Sequence, residues 1–186
     1  MKLPSLDELL ADQLKDLYSA ETQLVKALPK MAKAASDETL REAIESHLEE
    51  TKGQVERLNR IGKTLGTTLS GKNCAAMEGL VEEGKEVLEA DGPGPILDLA
   101  MIAAAQRVEH YEISAYGSAR TLAEHLGHDD VARLLQETLD EESAADEKLT
   151  GIATDTILPS AGDEEEEDTK SNGARRSKRG EQKASR

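Results

Sequence analysis

The chain repeats its own pattern of apolar and acidic residues, without a gap, at an offset of 91 residues. Apolar positions fall on apolar positions, and two acids that interrupt or edge the apolar stripes also fall on acids. The matching pairs include Leu97 and Leu6, Met101 and Leu10, Val108 and Leu17, Glu112 and Glu21, Val131 and Leu40, Leu135 and Ile44, and Glu141 and Glu50. Such a repeat, with acids inside the apolar pattern, is typical of a duplicated helical hairpin that forms a metal-binding four-helix bundle.

The composition favours helices and argues against nucleic-acid binding by the folded part. The chain has no Trp or Phe and only three Tyr, so Leu, Ala, Ile and Val must fill the core. The net charge is -15, and residues 159–186 add nothing to it, because seven acids offset seven bases there. The charge therefore lies on residues 1–158, which disfavours contact with nucleic acid or with an anionic membrane.

The sequence also predicts a cytoplasmic protein without a membrane partner. Cys74 is the single cysteine, so no internal disulfide forms, as is usual in a reducing compartment. No apolar run approaches membrane-spanning length, and the amphipathic N-terminus does not resemble a signal peptide.

The spacing of apolar residues and helix breakers predicts an all-α fold, a ferritin-like four-helix bundle with an extra crossover helix. The bundle occupies residues 1–158, and we expect residues 159–186, acidic and then basic, to be disordered. The predicted helices begin near Leu6 (after a Ser5 cap), after Ser36–Asp37, near Cys74, near Ile96 and at Asp129. The helix from Cys74 to Ala90 forms the long connection between the two hairpins.

Two acids lie inside apolar helix faces. At about 100° per residue, Glu21 falls on the same face as Leu14 and Leu17, and Glu112 takes the same place after Val108. A buried carboxylate costs several kcal/mol unless it is paired or bound to a metal. The pattern therefore indicates metal ligands, the alternative being acids satisfied by a neighbouring side chain or by water.

The second and fourth helices of the bundle add less regular candidates. His47 and Glu142 lie near the centres of their apolar faces, whereas Glu50 and Glu141 lie at the edges, where a solvated salt bridge is the alternative. The remaining candidates are Glu109, one turn before Glu112, and the further oxygen donors Asp146 and Gln54. An oxygen-rich set with at most one imidazole suits iron or manganese better than structural zinc.

One departure from the usual di-iron pattern is clear. Carboxylate-bridged di-iron bundles carry Glu-x-x-His on two helices. Here the residues three positions after Glu50 and Glu141 are Gly53 and Ala144, and His47 precedes Glu50. The imidazole of His47 is therefore also compatible with an ordinary core histidine.

The chain resembles the YciE/YciF ferritin-like family of small, stress-associated bacterial proteins. The similar stretches span residues 16–24, 28–32, 47–58, 74–83, 105–117 and 145–149. The resemblance implies a ferritin-like bundle that tends to dimerise and whose relatives are described as candidate ferroxidases. By position, it implies metal-site roles for Glu21, Glu50, Glu109, Glu112 and Glu142.

Two functions follow as expectations. The first is a di-iron or di-manganese site that oxidises Fe(II) with oxygen or peroxide, with terminal ligands Glu21 and Glu112 and bridging ligands Glu50 and Glu141 or Glu142. The second is a non-enzymatic, acidic, dimeric stress protein with a degenerate metal site, which the missing Glu-x-x-His pairs favour. Nucleic-acid binding through residues 175–179 is not expected, because the acidic run 163–168 competes for those bases.

Overall fold

The structure, a computed structural model, describes residues 4–161. It contains five α-helices: α1 (Leu6–Ala34), α2 (Glu38–Thr64), α3 (Ala75–Glu89), α4 (Gly94–His125) and α5 (Asp129–Ile152). No strand occurs in this part of the chain. The prediction of an all-α protein with five helices is therefore confirmed.

Polar side chains cap the helices at the predicted starts. The Ser5 hydroxyl accepts the N–H of Glu8 at the start of α1, at 3.2 Å. The Asp37 carboxylate accepts the N–H of Leu40 at the start of α2, at 2.9 Å. The thiol of Cys74 lies 3.4 Å from the backbone nitrogen of Met77 and caps α3. Each cap satisfies an N–H group that has no partner within its own helix.

The four long helices form a bundle in which α1 contacts α2 and α4, and α5 contacts α2 and α4. The Asp98 carboxylate, near the start of α4, accepts the N–H groups of Ser36 and Asp37, just after the end of α1, at 2.9 and 2.8 Å. The start of α4 therefore lies beside the end of α1. Helices α1 and α4 are therefore antiparallel. Helix α3 packs on both of them and connects the two hairpins, as the crossover prediction required.

The apolar core consists of two clusters with a polar layer between them. One cluster contains Leu24, Ile44 and Val108, and the other contains Leu17 and Leu58. On each of the four long helices, the buried polar residues of this layer lie between an apolar residue of one cluster and an apolar residue of the other. The duplicated hairpin thus places the polar side chains of all four helices in one layer.

The last helix extends beyond the predicted end of the bundle. A π-helical turn over Ala153–Ile157 follows α5, and helical structure continues through Pro159 to Ala161. Ile157 and Ala161 are buried. The predicted disorder of the remaining tail falls outside the described residues. Between residues 4 and 161, none of the helices has the length and hydropathy needed to cross a membrane.

Candidate metal centre

The polar layer holds an unusual number of buried polar side chains. These are Glu21, Thr51, Gln54, Glu109, Glu112, Thr138 and Glu142. Four of the seven are carboxylic acids, and each of the four lies at or below 2 % exposure. Acids at this depth need a partner, because water cannot solvate them.

Four side chains from three helices converge in this layer. His47 lies on α2, Glu109 and Glu112 lie on α4, and Glu142 lies on α5. Each offers a ligand atom that lies within 4.8 Å of the ligand atoms of the other three. His47 Nε2 is 3.5 Å from Glu109 Oε1 and 3.9 Å from Glu142 Oε2. We refer to these four residues as the His/Glu cluster.

Five of the six carboxylate oxygens in the His/Glu cluster lack a hydrogen-bond donor in the described part of the chain. Both carboxylate oxygens of Glu112 and of Glu142 are buried without a partner among residues 4–161, as is Glu109 Oε2. Burial, reinforced by the neighbouring carboxylates, raises the pKa of Glu112 and of Glu142 well above its usual value. A bound cation would satisfy these oxygens and favour their charged form, so the cluster fits a metal ion.

The imidazole of His47 lies between the acids of the His/Glu cluster and the half-exposed acid Glu50. Its Nδ1 atom is 3.5 Å from Glu50 Oε2, and 47 % of the Glu50 side chain is exposed. Burial alone would lower the pKa of His47, but Glu50 and Glu109 outweigh it and raise this pKa. In turn, the imidazole holds the pKa of Glu50 below its usual value. Glu50 is thus placed to orient the ring while Nε2 faces the cluster.

Glu21 enters the same layer from α1 but is held separately. The phenol of Tyr116 donates a hydrogen bond to Glu21 Oε1, while Oε2 is buried without a partner in the described part of the chain. Burial raises the pKa of Glu21 to about 8. Tyr116 lies four residues after Glu112, which puts both side chains on the same face of α4.

Glu141 and Asp146 do not join the cluster. The guanidinium of Arg57 donates two hydrogen bonds to Glu141, each 2.8 Å long, and Gln54 Nε2 donates a third at 3.0 Å. Asp146 Oδ1 accepts a hydrogen bond from Gln106 Nε2 at 3.0 Å. The salt bridge expected as the alternative role of Glu141 is therefore present.

A cavity of about 190 Å³ borders the centre. The polar residues of its wall are His47, Glu50, Glu109, Glu141 and Lys148. The rest of the lining is apolar and comes from Leu28, Met31, Ala43, Ile44, Ala105, Ala144, Ala145 and Leu149. The space is large enough for water or another small molecule to reach the imidazole.

Comparison with known proteins places the chain in a described family. Residues 5–161 match the profile of the domain of unknown function DUF892. Protein YciF of Escherichia coli strain K12 is 46 % identical over 158 residues, which cover 84 % of this chain and 95 % of YciF.

Solved structures agree with this relationship. The crystal structure of the E. coli stress protein YciF matches with a TM-score of 0.79 and 47 % identity, covering 81 % of this chain and 96 % of that one. YcfI of Rhodopseudomonas palustris, which has been proposed to be a structural protein, matches with a TM-score of 0.78 and 46 % identity, over 80 % and 95 % of the two chains.

A protein of Xanthomonas campestris, 20 % identical, shares the fold with a TM-score of 0.69, over 87 % of this chain and 99 % of that one. The resemblance expected from sequence is therefore confirmed. The chain belongs to the DUF892 family and is a homologue of the E. coli stress protein YciF.

Proposed function

We propose that the chain binds a redox-active divalent metal, iron or manganese, at the His/Glu cluster and oxidises Fe(II) with oxygen or peroxide. The observation that carries the proposal is the pair of fully buried carboxylates, Glu112 and Glu142, whose four oxygens have no hydrogen-bond donor in the described chain. They converge with Glu109 on the imidazole of His47. Three carboxylates and one imidazole form a hard donor set that suits iron or manganese.

The surrounding residues support this chemistry. When bound, iron or manganese would supply the change of oxidation state that carboxylates and imidazole lack. Glu50 orients the imidazole of His47 from the solvent side, and Tyr116 fixes one oxygen of Glu21 beside the cluster. The mostly apolar cavity next to His47 gives a small oxidant a path to the centre while limiting bulk water.

Localisation and assembly belong to the same proposal. We propose a cytoplasmic homodimer, supported by the single buried Cys74 and by the family resemblance. The molar mass in solution, measured by light scattering after gel filtration, distinguishes a dimer from a 20.1 kDa monomer.

A non-enzymatic stress protein is the second candidate. The absence of Glu-x-x-His after Glu50 and Glu141 favours it, and so does the salt bridge that holds Glu141. In that case the -15 net charge would keep the protein hydrated and dispersed under stress.

Metal content and Fe(II) oxidation distinguish the two candidates. Gently purified protein is analysed for metals, and metal-free protein is then given Fe(II) without oxygen before oxidation is started. We expect Glu112→Gln and Glu142→Gln to lose the metal and the oxidation while the helices stay folded, because each change removes one buried ligand.

The matched control is Glu147→Gln, an exposed acid on the same helix as Glu142, which should behave like the wild type. Wild-type protein that is purified without metal and also refuses Fe(II) would favour the non-enzymatic candidate. Unchanged oxidation by both site variants would show that the oxidation occurs elsewhere.

A further inference from the structure

The 91-residue repeat gives every residue of the His/Glu cluster a counterpart in the other half of the polar layer. The pairs are His47 and Thr138, Glu109 and Tyr18, Glu112 and Glu21, and Glu142 and Thr51. If both halves held a metal ion, as expected for a di-iron centre, the counterparts would also be ligands. Only one of the four counterparts, Glu21, carries a carboxylate.

Three of the four counterpart side chains form other hydrogen bonds. Thr138 Oγ1 accepts a hydrogen bond from Arg57 Nη1 at 2.7 Å, so the counterpart of the imidazole faces a cation. Thr51 Oγ1 donates a hydrogen bond to the carbonyl oxygen of His47 at 2.8 Å. One oxygen of Glu21 accepts the phenol of Tyr116. The second half therefore lacks both an imidazole and a convergent set of free carboxylates.

Arg57 supplies a fixed positive charge in the second half. Its Nη1 and Nη2 atoms bind the two oxygens of Glu141, each at 2.8 Å, and its Nε atom lies 3.5 Å from Glu137 Oε2. A guanidinium stays charged at any pH that the folded protein tolerates. It neutralises Glu141, the counterpart of Glu50, and its positive charge repels a metal ion at the same place.

We propose that this centre holds one divalent metal ion per chain, in the half formed by His47, Glu109, Glu112 and Glu142, and that Arg57 takes the place of a second ion. The proposal rests on the proposed metal-binding function and specifies it. The two halves of the repeat have diverged. One half holds the imidazole of His47 and the carboxylate oxygens without a donor in the described chain, and the other half holds the guanidinium of Arg57. The centre is thus a one-metal site of the iron or manganese class rather than a dinuclear one.

The stoichiometry of Mn(II) binding tests this inference. Metal-free full-length protein is titrated with Mn(II), freed of unbound metal by gel filtration, and examined by elemental analysis and electron paramagnetic resonance. We expect one Mn(II) per chain with the spectrum of an isolated ion. Two ions at roughly 3.5–4 Å would instead give an exchange-coupled spectrum.

The outcomes of this titration distinguish a failure of the one-metal inference from a failure of the proposed metal binding. Two equivalents, or a coupled spectrum, would overturn the one-metal inference and leave metal binding intact. Protein that takes up neither Mn(II) nor Fe(II) would overturn both.

Paired substitutions test which half holds the ion. Glu109→Gln should weaken Mn(II) binding by about 100-fold or more, since even losses outside the ligand shell cost about 10–100-fold. Tyr18→Phe, at the counterpart position, should leave both affinity and stoichiometry unchanged. Circular dichroism melting curves verify that both variants fold. Weakened binding in Tyr18→Phe together with wild-type binding in Glu109→Gln would overturn the assignment.

Discussion

At the level of single residues, the buried carboxylates of the centre are electrostatically unfavourable in the metal-free protein. Glu21, Glu112 and Glu142 are fully buried in one polar layer, and each carries at least one oxygen without a donor among residues 4–161. Partial compensation comes from the phenol of Tyr116, which donates to Glu21, and from the imidazole of His47, which lies 3.9 Å from Glu142. Apolar residues at these positions would favour folding more, so the burial of these acids supports the proposed metal binding.

We predict that the metal-free protein loses stability as the pH rises from about 4.5 to about 8. Burial raises the pKa of Glu21 from 4.5 to about 8, so in this window the folded protein binds more protons than the unfolded chain. The raised pKa of His47 acts in the same direction, since its stabilising charge is lost at high pH. The free energy of unfolding, measured with urea, should fall by roughly 2–4 kcal/mol.

Two comparisons control this prediction. Glu112→Gln removes one buried ionisable group and should make the pH dependence shallower. Excess Mn(II) should oppose the fall, because metal and protons compete for the same oxygens. A metal-free wild type whose stability rises over this range would show that the buried acids are ionised and satisfied in the folded state.

At the scale of the helices, the two hairpins have diverged in how they are joined. Asp98 and Asp7 are equivalent in the repeat, but Asp7 is exposed whereas Asp98 has an exposed fraction of 1 %. The Asp98 carboxylate accepts two N–H groups of the turn between α1 and α2. It thereby fixes the start of α4 against the end of the first hairpin and sets the register of α4, which carries Glu109 and Glu112.

We predict that Asp98→Ala destabilises the protein by about 2–3 kcal/mol, because the part-buried hydrogen bonds from the N–H groups of Ser36 and Asp37 to a charged acceptor are lost. Asp7→Ala, the matched change in the other half of the repeat, should cost less than about 1 kcal/mol, through the helix dipole alone. Urea unfolding monitored by circular dichroism measures both values. Equal losses in the two variants would show that the contacts of Asp98 contribute nothing beyond its place in the helix.

At the scale of the whole molecule, the negative charge is concentrated on the bundle. The 25 residues after Ala161 contain seven acids and seven bases, so the -15 net charge belongs to residues 1–161. Self-repulsion of this size opposes the compact state and is screened by salt.

We predict that raising NaCl from about 0.05 M to about 0.5 M increases the melting temperature of the metal-free protein by roughly 2–4 °C. A chain that ends after Ala161 is the control: it keeps the full -15 net charge and should respond to salt to the same extent. A melting temperature that falls with salt would mean that ion pairs such as Arg57–Glu141 outweigh the general repulsion.

The helices, their starting points and the duplicated plan of the bundle could be predicted from local sequence patterns. Apolar periodicity and the Ser5, Asp37 and Cys74 caps are local properties, which each segment expresses whatever it packs against. The same periodicity placed Glu21 and Glu112 in the interior, because a residue's direction around its own helix follows from its number.

Which polar residues meet could not be predicted in this way, because it depends on how the helices pack. Glu50 and Glu141 are equivalent in the repeat, yet Glu50 faces His47 whereas Glu141 binds Arg57, which is 84 residues away in the chain. Helical spacing gives the face of a side chain but not the neighbour that approaches it from another helix. That neighbour depends on how the helices pack. In this bundle, the packing places the His/Glu cluster in one half of the polar layer and the guanidinium of Arg57 in the other.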